Sequence, residues 1–285
     1  MTITVTKRGK TFAAELRGVD LRGPLDPADQ AAIQAAFDEY GVLALPDQDI
    51  DDDQQIAYSR GFGDLETSVR YNQPGGSTRP ELSYIGNVDP EGKLYPVGDK
   101  RSLPGTQRWH SDSSFKPVPA YASLLSARIV PPEGGETEFA DLRAAWDALP
   151  DDMKQRAEGL VVEHDIIKSR EKGGDRNTGE SEQRRLPPVH QALVRPHPKN
   201  GRKALYIGAH AAHIVGWPDA DSDAFLEELT EHATQPDFVY RHSWSAHDLV
   251  MWDNTRAVHR RRPWDAATYP RVMIRTTVAG DGPTV

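Results

Sequence analysis

The chain has 285 residues, a formal net charge of −9, 37% hydrophobic and 27% charged residues, and no cysteine. This composition is typical of a globular protein that is large enough to be stabilised by its hydrophobic core, without disulfides or structural metal ions. The absence of cysteine excludes disulfides, thiol catalysis and cysteine-bound metals. The acidic balance does not favour nucleic acid or an anionic membrane surface as a partner. No stretch reaches the ~18 apolar residues of a membrane span and no signal peptide is recognisable, so a cytoplasmic location is expected.

The first third of the chain predicts short strands and two helices, followed by a long loop. Alternating apolar residues indicate strands, whereas apolar residues at helical spacing after an acidic N-cap indicate helices. The predicted elements are strands at 3–5 and 12–16, a helix at 26–40, a buried strand at 41–46, a helix at 51–62, and a loop over 74–105 with one strand at 81–85.

The remainder of the chain predicts mainly strands, with helices between them. The predicted strands are 120–130, 137–140, 160–167, 205–207, 237–241, 248–252 and 272–278, and the predicted helices are 141–149, 151–159 and 220–234. The charged stretch 169–188 is either a disordered surface loop or a mobile lid over a site. We predict one domain over 1–285, mainly β in an α+β arrangement, with a jelly-roll (double-stranded β-helix) core and peripheral helices.

The segment from Gln107 to Phe115 contains a His-x-Asp pair, His110 and Asp112. In an extended strand, residues i and i+2 point to the same face, so both side chains can reach one metal ion. His259 follows a strongly apolar predicted strand and offers a third ligand. Two histidines and one carboxylate on one face of a metal leave positions open for other ligands, which is the usual arrangement of iron(II) oxygenases. We therefore predict iron(II) here, since zinc prefers a tighter set that often includes cysteine.

Two arginines follow His259 in the sequence Arg271-Val-Met-Ile-Arg275. If this segment is a strand, positions i and i+4 share a face and both guanidinium groups point the same way. Two buried arginines are costly without anions, and a dicarboxylate would supply an anion that arginine binds in bidentate geometry. This pattern favours a metal site with a dicarboxylate pocket over the alternative, a surface hydrogen-bonded pair of His110 and Asp112.

The other histidines give weaker patterns. His210 and His213 have the i, i+3 spacing of a helical metal pair, but no Asp or Glu completes the set nearby. We interpret these and the remaining histidines as ordinary polar residues.

Several longer motifs resemble the taurine dioxygenase and dichlorophenoxyacetate dioxygenase family, and the resemblance runs from residue 18 to residue 275. The motifs are WHSDSSF at 109–115, PPEGGETEF at 131–139, GRKALYIGAHAAH at 201–213, EHATQPDFVYRH at 231–242 and MWDNTRAVH at 251–259. The resemblance is strongest to the branch that cleaves aryloxyacetates. It implies an iron(II)- and 2-oxoglutarate-dependent oxygenase that uses O2, hydroxylates a substrate carbon and releases succinate and carbon dioxide.

The resemblance also assigns roles to individual residues. The implied roles are iron ligation by His110, Asp112 and His259, 2-oxoglutarate binding by Thr137, Trp252 and Arg271, and substrate binding by Arg275. Either Asp253 or Asn254 is expected to orient the ligand segment from behind.

The substrate loop is where the chain departs from the aryloxyacetate branch. That branch has a lysine before a Val-Asn-Gln stretch, whereas here the stretch reads Arg70-Tyr71-Asn-Gln73. Arg70 is the implied replacement cation, with Tyr71 beside it, although lysine and arginine are not interchangeable at a carboxylate site. An exposed Arg70 without a role in binding is the alternative.

Three functions stay open at this point. The first is ether cleavage of an aryloxyalkanoate such as 2,4-dichlorophenoxyacetate, and the second is oxidation of taurine, an alkylsulfonate or another small acid by the same fold. The third, from another class, is a metal-binding jelly roll without catalysis. The expected partner is a small anionic organic molecule, with neither nucleic acid nor membrane, and the chain is expected to form a homo-oligomer.

Overall fold

The computed structural model describes residues 2–73, 76–96, 98–99, 102, 106–173, 186–197 and 200–285. Its helices are α1 (Pro27–Tyr40), α2 (Asp52–Arg60), α3 (Leu142–Ala148), α4 (Asp151–Ala157), α5 (Ile166–Lys172) and α6 (Asp219–Ala233), with a 3-10 turn at Pro236–Phe238. Its strands are β1 (Thr4–Lys7), β2 (Ala14–Arg17), β3 (Val42–Leu45), β4 (Ser83–Gly86), β5 (Ala120–Ile129), β6 (Thr137–Asp141), β7 (Val161–His164), β8 (Val189–Ala192), β9 (Val194–Pro196), β10 (Lys203–Leu205), β11 (Ala211–Ile214), β12 (Val239–His242), β13 (Leu249–Asp253), β14 (Ala257–Arg261) and β15 (Val272–Ala279).

Local sequence signals determine where the helices begin. The Asp26 carboxylate accepts a hydrogen bond from the backbone N–H of Ala28 at the start of α1. The Asp51 side chain and Gln54 form a reciprocal capping box at the start of α2. Such caps satisfy backbone N–H groups that the first helical turn leaves without partners, which is why these two boundaries could be predicted from the sequence.

Two sheets carry the centre of the fold. The larger has seven strands in the order β1-β2-β3-β13-β5-β15-β4, and the smaller has the order β12-β6-β14. All their pairings are antiparallel except that between β2 and β3. The chain is therefore a mixed, sheet-rich α+β protein.

Apolar side chains from both sheets form a shared core between them. The core includes Leu125 of β5, Phe139 of β6, Trp252 of β13, Ala257 of β14 and Met273 of β15. A second cluster packs α1 and α2 on the outer face of the large sheet, and a third packs α3 and α6 on the small sheet. The inward-facing side chains of both sheets therefore lie close together between the two layers.

Most predicted elements are confirmed, but several predicted boundaries were wrong. The strand predicted to reach residue 167 ends at His164, because the Asp165 carboxylate caps α5 through the N–H groups of Ile167 and Lys168. Residues 236–238 form a 3-10 turn before β12 instead of the start of a strand, and the strand predicted at 205–207 is β10, which ends at Leu205. His210 and His213, which have helical spacing in the sequence, lie in a turn and in β11.

The predicted loop or lid at 169–188 is only partly testable. Residues 169–172 complete α5, and 174–185 lie outside the described residues. Among the helices of the described chain, none has the length and apolarity to cross a membrane.

Candidate metal centre

His110 and His259 face each other across an isolated antiparallel bridge. The N–H of His110 donates to the carbonyl of His259 at 3.0 Å, and the N–H of His259 donates to the carbonyl of His110 at 2.8 Å. Asp112 does not continue an extended strand, as the i, i+2 argument assumed, but begins a turn two residues after the bridge at His110. The side chains of His110, Asp112 and His259 therefore come together as expected, although the extended strand predicted over 110–112 is not formed.

The three predicted ligands lie together and are buried. The Nε2 atoms of His110 and His259 lie 3.8 and 3.9 Å from the two carboxylate oxygens of Asp112. The ligand-type atoms of the three side chains lie within 4.8 Å of one another, so one metal ion could contact all three.

The protonation states fit a divalent cation. Burial lowers the pKa of His110 and lowers that of His259 well below its ordinary value, because the imidazolium form loses its hydration. Burial, the largest single influence, would raise the pKa of Asp112, but the Arg275 guanidinium, the two histidines and the Ser123 hydroxyl together outweigh it and hold that pKa well below its ordinary range. Neutral imidazoles and an ionised carboxylate are the forms that bind metals.

Hydrogen bonds fix the orientation of His110 and Asp112. The carbonyl of Arg108 lies 3.0 Å from Nδ1 of His110. Because a carbonyl can only accept, Nδ1 carries the proton of the neutral ring and Nε2 keeps its lone pair for a metal. The hydroxyl of Ser123 donates to Oδ2 of Asp112 at 2.7 Å, and Asn254 accepts from the backbone N–H of Asp112 at 3.1 Å.

Asn254 and Asp253 have different surroundings. The Asn254 amide donates to Ser123 Oγ at 3.0 Å, so it supports the hydroxyl that holds Asp112. Asp253 lies instead against His197 at 3.2 Å and Arg256 at 3.3 Å. Of the two alternatives raised by the sequence, Asn254 is the one in contact with the ligand segment.

The turn that begins at Asp112 continues through Phe115, and side chains distant in sequence hold it. Ser113 has a positive φ of 55°, which is uncommon outside glycine. The Glu66 carboxylate accepts from Ser113 Oγ and from Lys116 Nζ, both at 2.6 Å. The Gln191 amide donates to the carbonyls of Ser114 and Lys116 at 3.0 and 2.9 Å. Sequence reasoning found neither of these supports.

A cavity opens beside the two histidines and contains four of the other predicted residues. Thr137, Trp252, Arg271 and Arg275 line it. The further lining residues are Ile85, Thr106, Leu125 and Arg261. Arg261 was missed, although alternation along a strand from His259 would have placed it on the same face.

Arg271 is 2% exposed and has no carboxylate partner within the described part of the chain. Its Nη2 donates to the carbonyl of Gly135 at 3.2 Å, while its Nε has no partner among those residues. Burial, and secondarily the charge of Arg261, lowers the pKa of Arg271 to about 9. A buried cation without a counter-ion is costly, so this cavity is suited to an anion.

A second cavity is lined by Asp112 and by Arg275, which also lines the first cavity beside the histidines. Its other lining residues include Val69, Phe115, Lys116 and Glu66. Arg275 donates to Oδ1 of Asp112 at 2.5 Å.

The predicted substrate residues Arg70 and Tyr71 line neither of these cavities, although the preceding residue, Val69, lines the second. The Tyr71 side chain is exposed. Their roles stay predictions.

The chain is similar in sequence and structure to several known proteins. The family model described as taurine catabolism dioxygenase TauD, TfdA family, matches residues 4–277. The chain is 46% identical to an alpha-ketoglutarate-dependent 2,4-dichlorophenoxyacetate dioxygenase of Burkholderia sp. (strain RASC), over 94% of this chain and 92% of the relative. It is 39% identical to an (S)-phenoxypropionate/alpha-ketoglutarate-dioxygenase of Sphingobium herbicidovorans, covering 95% and 93%. The crystal structure of AAD-2 in complex with Mn(II) and N-oxalylglycine matches with a TM-score of 0.91 and 43% identity, covering 100% and 99%.

Proposed function

The chain belongs to the TauD, TfdA family, and on that premise we propose that it is an iron(II)- and 2-oxoglutarate-dependent dioxygenase acting on aryloxyalkanoates. The observation that carries the proposal is the buried Arg271, a cation without a protein carboxylate in the described residues, in a cavity that the two candidate metal-binding histidines also line. A structural metal site would not need this anion-accepting cavity, which argues against a non-catalytic jelly roll.

The metal would be held by His110, Asp112 and His259. Iron(II), when bound, supplies the dioxygen chemistry that couples oxidation of 2-oxoglutarate, to succinate and carbon dioxide, to hydroxylation of a substrate C–H bond. The protein keeps the two imidazoles neutral by burial and holds the carboxylate through Ser123.

The 2-oxoglutarate would occupy the cavity beside the histidines. Arg271 would pair with its distal carboxylate, and the Thr137 hydroxyl would donate to a carboxylate oxygen. The Trp252 ring lies against the His259 ring with centroids 4.6 Å apart, and the Phe139 ring packs against both, at 5.4 Å from Trp252 and 6.1 Å from His259. This aromatic cluster would give the co-substrate cavity an apolar side next to the metal ligand His259.

The substrate would bind in the second cavity. Arg275 and Lys116 supply cations there, and each is paired in the structure with a carboxylate, Asp112 and Glu66 respectively. Of the two, Arg275 is the one whose partner would also bind the metal ion. Val69 and Phe115 add apolar surface, which suits an aryl group carried by a carboxylic acid. Hydroxylation of the carbon next to an ether oxygen gives a hemiacetal that breaks down, so an aryloxyacetate would yield a phenol and glyoxylate.

The finer architecture follows the same proposal. The seven-stranded and three-stranded sheets would form the two layers of a jelly roll in a single domain over 1–285. The homo-oligomer expected from the sequence stays a prediction.

Succinate release tests the proposal directly. The purified protein would be incubated with iron(II), ascorbate, 2-oxoglutarate and a panel of aryloxyacetates, aryloxypropionates, taurine and alkylsulfonates. We expect an aryloxyalkanoate to stimulate succinate formation and to release the matching phenol in equal amount. If only taurine or an alkylsulfonate stimulates turnover, the substrate assignment is wrong, and if nothing does and no 2-oxoglutarate is consumed, the activity is wrong.

A further inference from the structure

Trp244 makes a hydrogen bond to Thr137 from outside the co-substrate cavity. Its Nε1–H donates to Thr137 Oγ1 at 3.0 Å. Thr137 lines the cavity beside the candidate metal site, whereas Trp244 is not among the lining residues. The indole therefore contacts the hydroxyl from behind.

This contact restricts what the Thr137 hydroxyl can do. A threonine hydroxyl has one proton to donate and two lone pairs to accept with. Because Trp244 has only an N–H to offer, Thr137 must accept in that bond and keeps its own proton for another partner. Within the described chain no acceptor takes that proton, and the cavity is the space that Thr137 faces.

We propose that Trp244 is a positioning residue for 2-oxoglutarate: its indole N–H fixes the Thr137 hydroxyl as a donor aimed at the co-substrate carboxylate. The inference rests on the proposed function, because it requires 2-oxoglutarate in this cavity. It assigns a role to a residue outside the cavity that none of the sequence motifs had singled out.

The fold holds Trp244 in place for this role. Thr137 pairs with His242 across β6 and β12, and Trp244 follows two residues later. The His242 ring packs edge-on against the indole with centroids 4.6 Å apart. The Asp248 carboxylate lies 3.0 Å from His242 Nε2 and accepts from the backbone N–H of Ser245 at 2.9 Å. The segment that carries the indole is thus fixed on both sides of Trp244.

The sizes of the expected effects follow from the hydrogen bonds. A hydrogen bond to a charged group adds substantially to the free energy of binding. Losing the Thr137 hydroxyl should therefore weaken 2-oxoglutarate binding by roughly 10–100-fold. Losing only the indole donor leaves the hydroxyl present but free to rotate, so Trp244→Phe should weaken binding less, by about 3–10-fold.

The test is a double-mutant cycle on 2-oxoglutarate affinity, measured by calorimetry with the Mn(II)-loaded protein. The variants are Trp244→Phe, Thr137→Val and the pair together, with Trp217→Phe as the matched control because that indole stacks on Phe225 of α6. We expect Trp244→Phe to weaken binding in the wild-type background and to have no further effect beside Thr137→Val. Thr137→Ser, which keeps the hydroxyl, should retain both the affinity and the sensitivity to Trp244→Phe.

Different failures point to different conclusions. If the wild-type protein does not bind 2-oxoglutarate, the proposed function and this inference both fail. If it binds, and Trp244→Phe leaves the affinity unchanged or weakens it equally in the Thr137→Val background, only the positioning role is overturned. Thermal unfolding of every variant identifies a folding defect, and Trp244→Leu provides a second donor-free side chain if phenylalanine proves destabilising.

Discussion

Nη1 of Arg275 lies 2.5 Å from Oδ1 of Asp112, so a cation that lines both cavities also contacts the carboxylate of the candidate metal site. The other carboxylate oxygen is held by Ser123. The candidate metal site and the proposed substrate cavity are therefore linked through one ion pair, and a change at Arg275 should affect substrate binding without removing any of the proposed metal ligands.

Arg275→Met should raise the KM of an anionic substrate by about 10–100-fold, because a charge-assisted hydrogen bond to its carboxylate is lost. The affinity for 2-oxoglutarate should change much less, since Arg271 remains. Steady-state kinetics with each compound varied separately measures both effects. Arg202→Met, a change at an exposed arginine paired with Asp147 outside both cavities, is the control. An unchanged substrate KM would remove Arg275 from the substrate site.

His110→Ala should abolish tight Mn(II) binding and lower 2-oxoglutarate consumption by at least about 10³-fold, because two ligands cannot replace a facial set of three. Metal binding by electron paramagnetic resonance and succinate release measure the two losses. His232→Ala is a control at a ring that bonds the Ala145 carbonyl on the far side of the small sheet. Persistent decarboxylation in His110→Ala would overturn the ligand assignment.

Ser123→Ala should weaken metal affinity by about 10–100-fold without unfolding the protein, because it removes the hydroxyl that orients the Asp112 carboxylate. Ser126→Ala, at a buried serine three residues further along β5, is the matched control. Titration of both variants with Mn(II) tests the claim. Equal Mn(II) affinities in the two variants would mean that the Ser123 hydroxyl does not contribute to metal binding.

The sequence predicts the parts of the site whose signal is local. His110 with Asp112, and Arg271 with Arg275, are pairs of uncommon residue types at short spacing, so chemistry and strand geometry could identify them before the fold was known. All of them converge in the structure, even though Asp112 lies in a turn. An extended strand and the observed turn at Asp112 place its carboxylate by different backbone paths, but both bring it close to His110 and His259.

The supports of the site could not be predicted, since their partners are distant in sequence. Ser123, Glu66 and Gln191 are common residue types, and each acquires its role only through packing against residues 112–116. The positive φ of Ser113 was also hidden, because glycine, the usual sign of that conformation, is absent at this position. Long-range contacts of this kind require the folded structure.

His164 should make stability depend on pH in the acid range. It is 1% exposed on β7, and burial lowers its pKa to about 3. The unfolded chain, with an ordinary histidine pKa near 6.5, therefore binds one more proton than the folded chain between about pH 6.5 and 3. The free energy of unfolding should fall as pH falls through this window, with His164 contributing up to about 1.4 kcal/mol per pH unit.

His164→Phe tests this directly, because phenylalanine can keep the stacking on Tyr206, whose ring lies 5.2 Å away at 19°, while removing the ionisable group. The free energy of unfolding would be measured with urea on the metal-free protein at several pH values between 3.5 and 7. Its slope against pH should correspond to about one proton fewer taken up on unfolding in the variant than in the wild-type protein. Tyr206→Phe alters the stacking partner but keeps the imidazole, so it should retain the wild-type slope. If His164→Phe has the wild-type slope too, the acid sensitivity must come from the other buried histidines, His110, His210 and His259, whose pKa values burial also lowers.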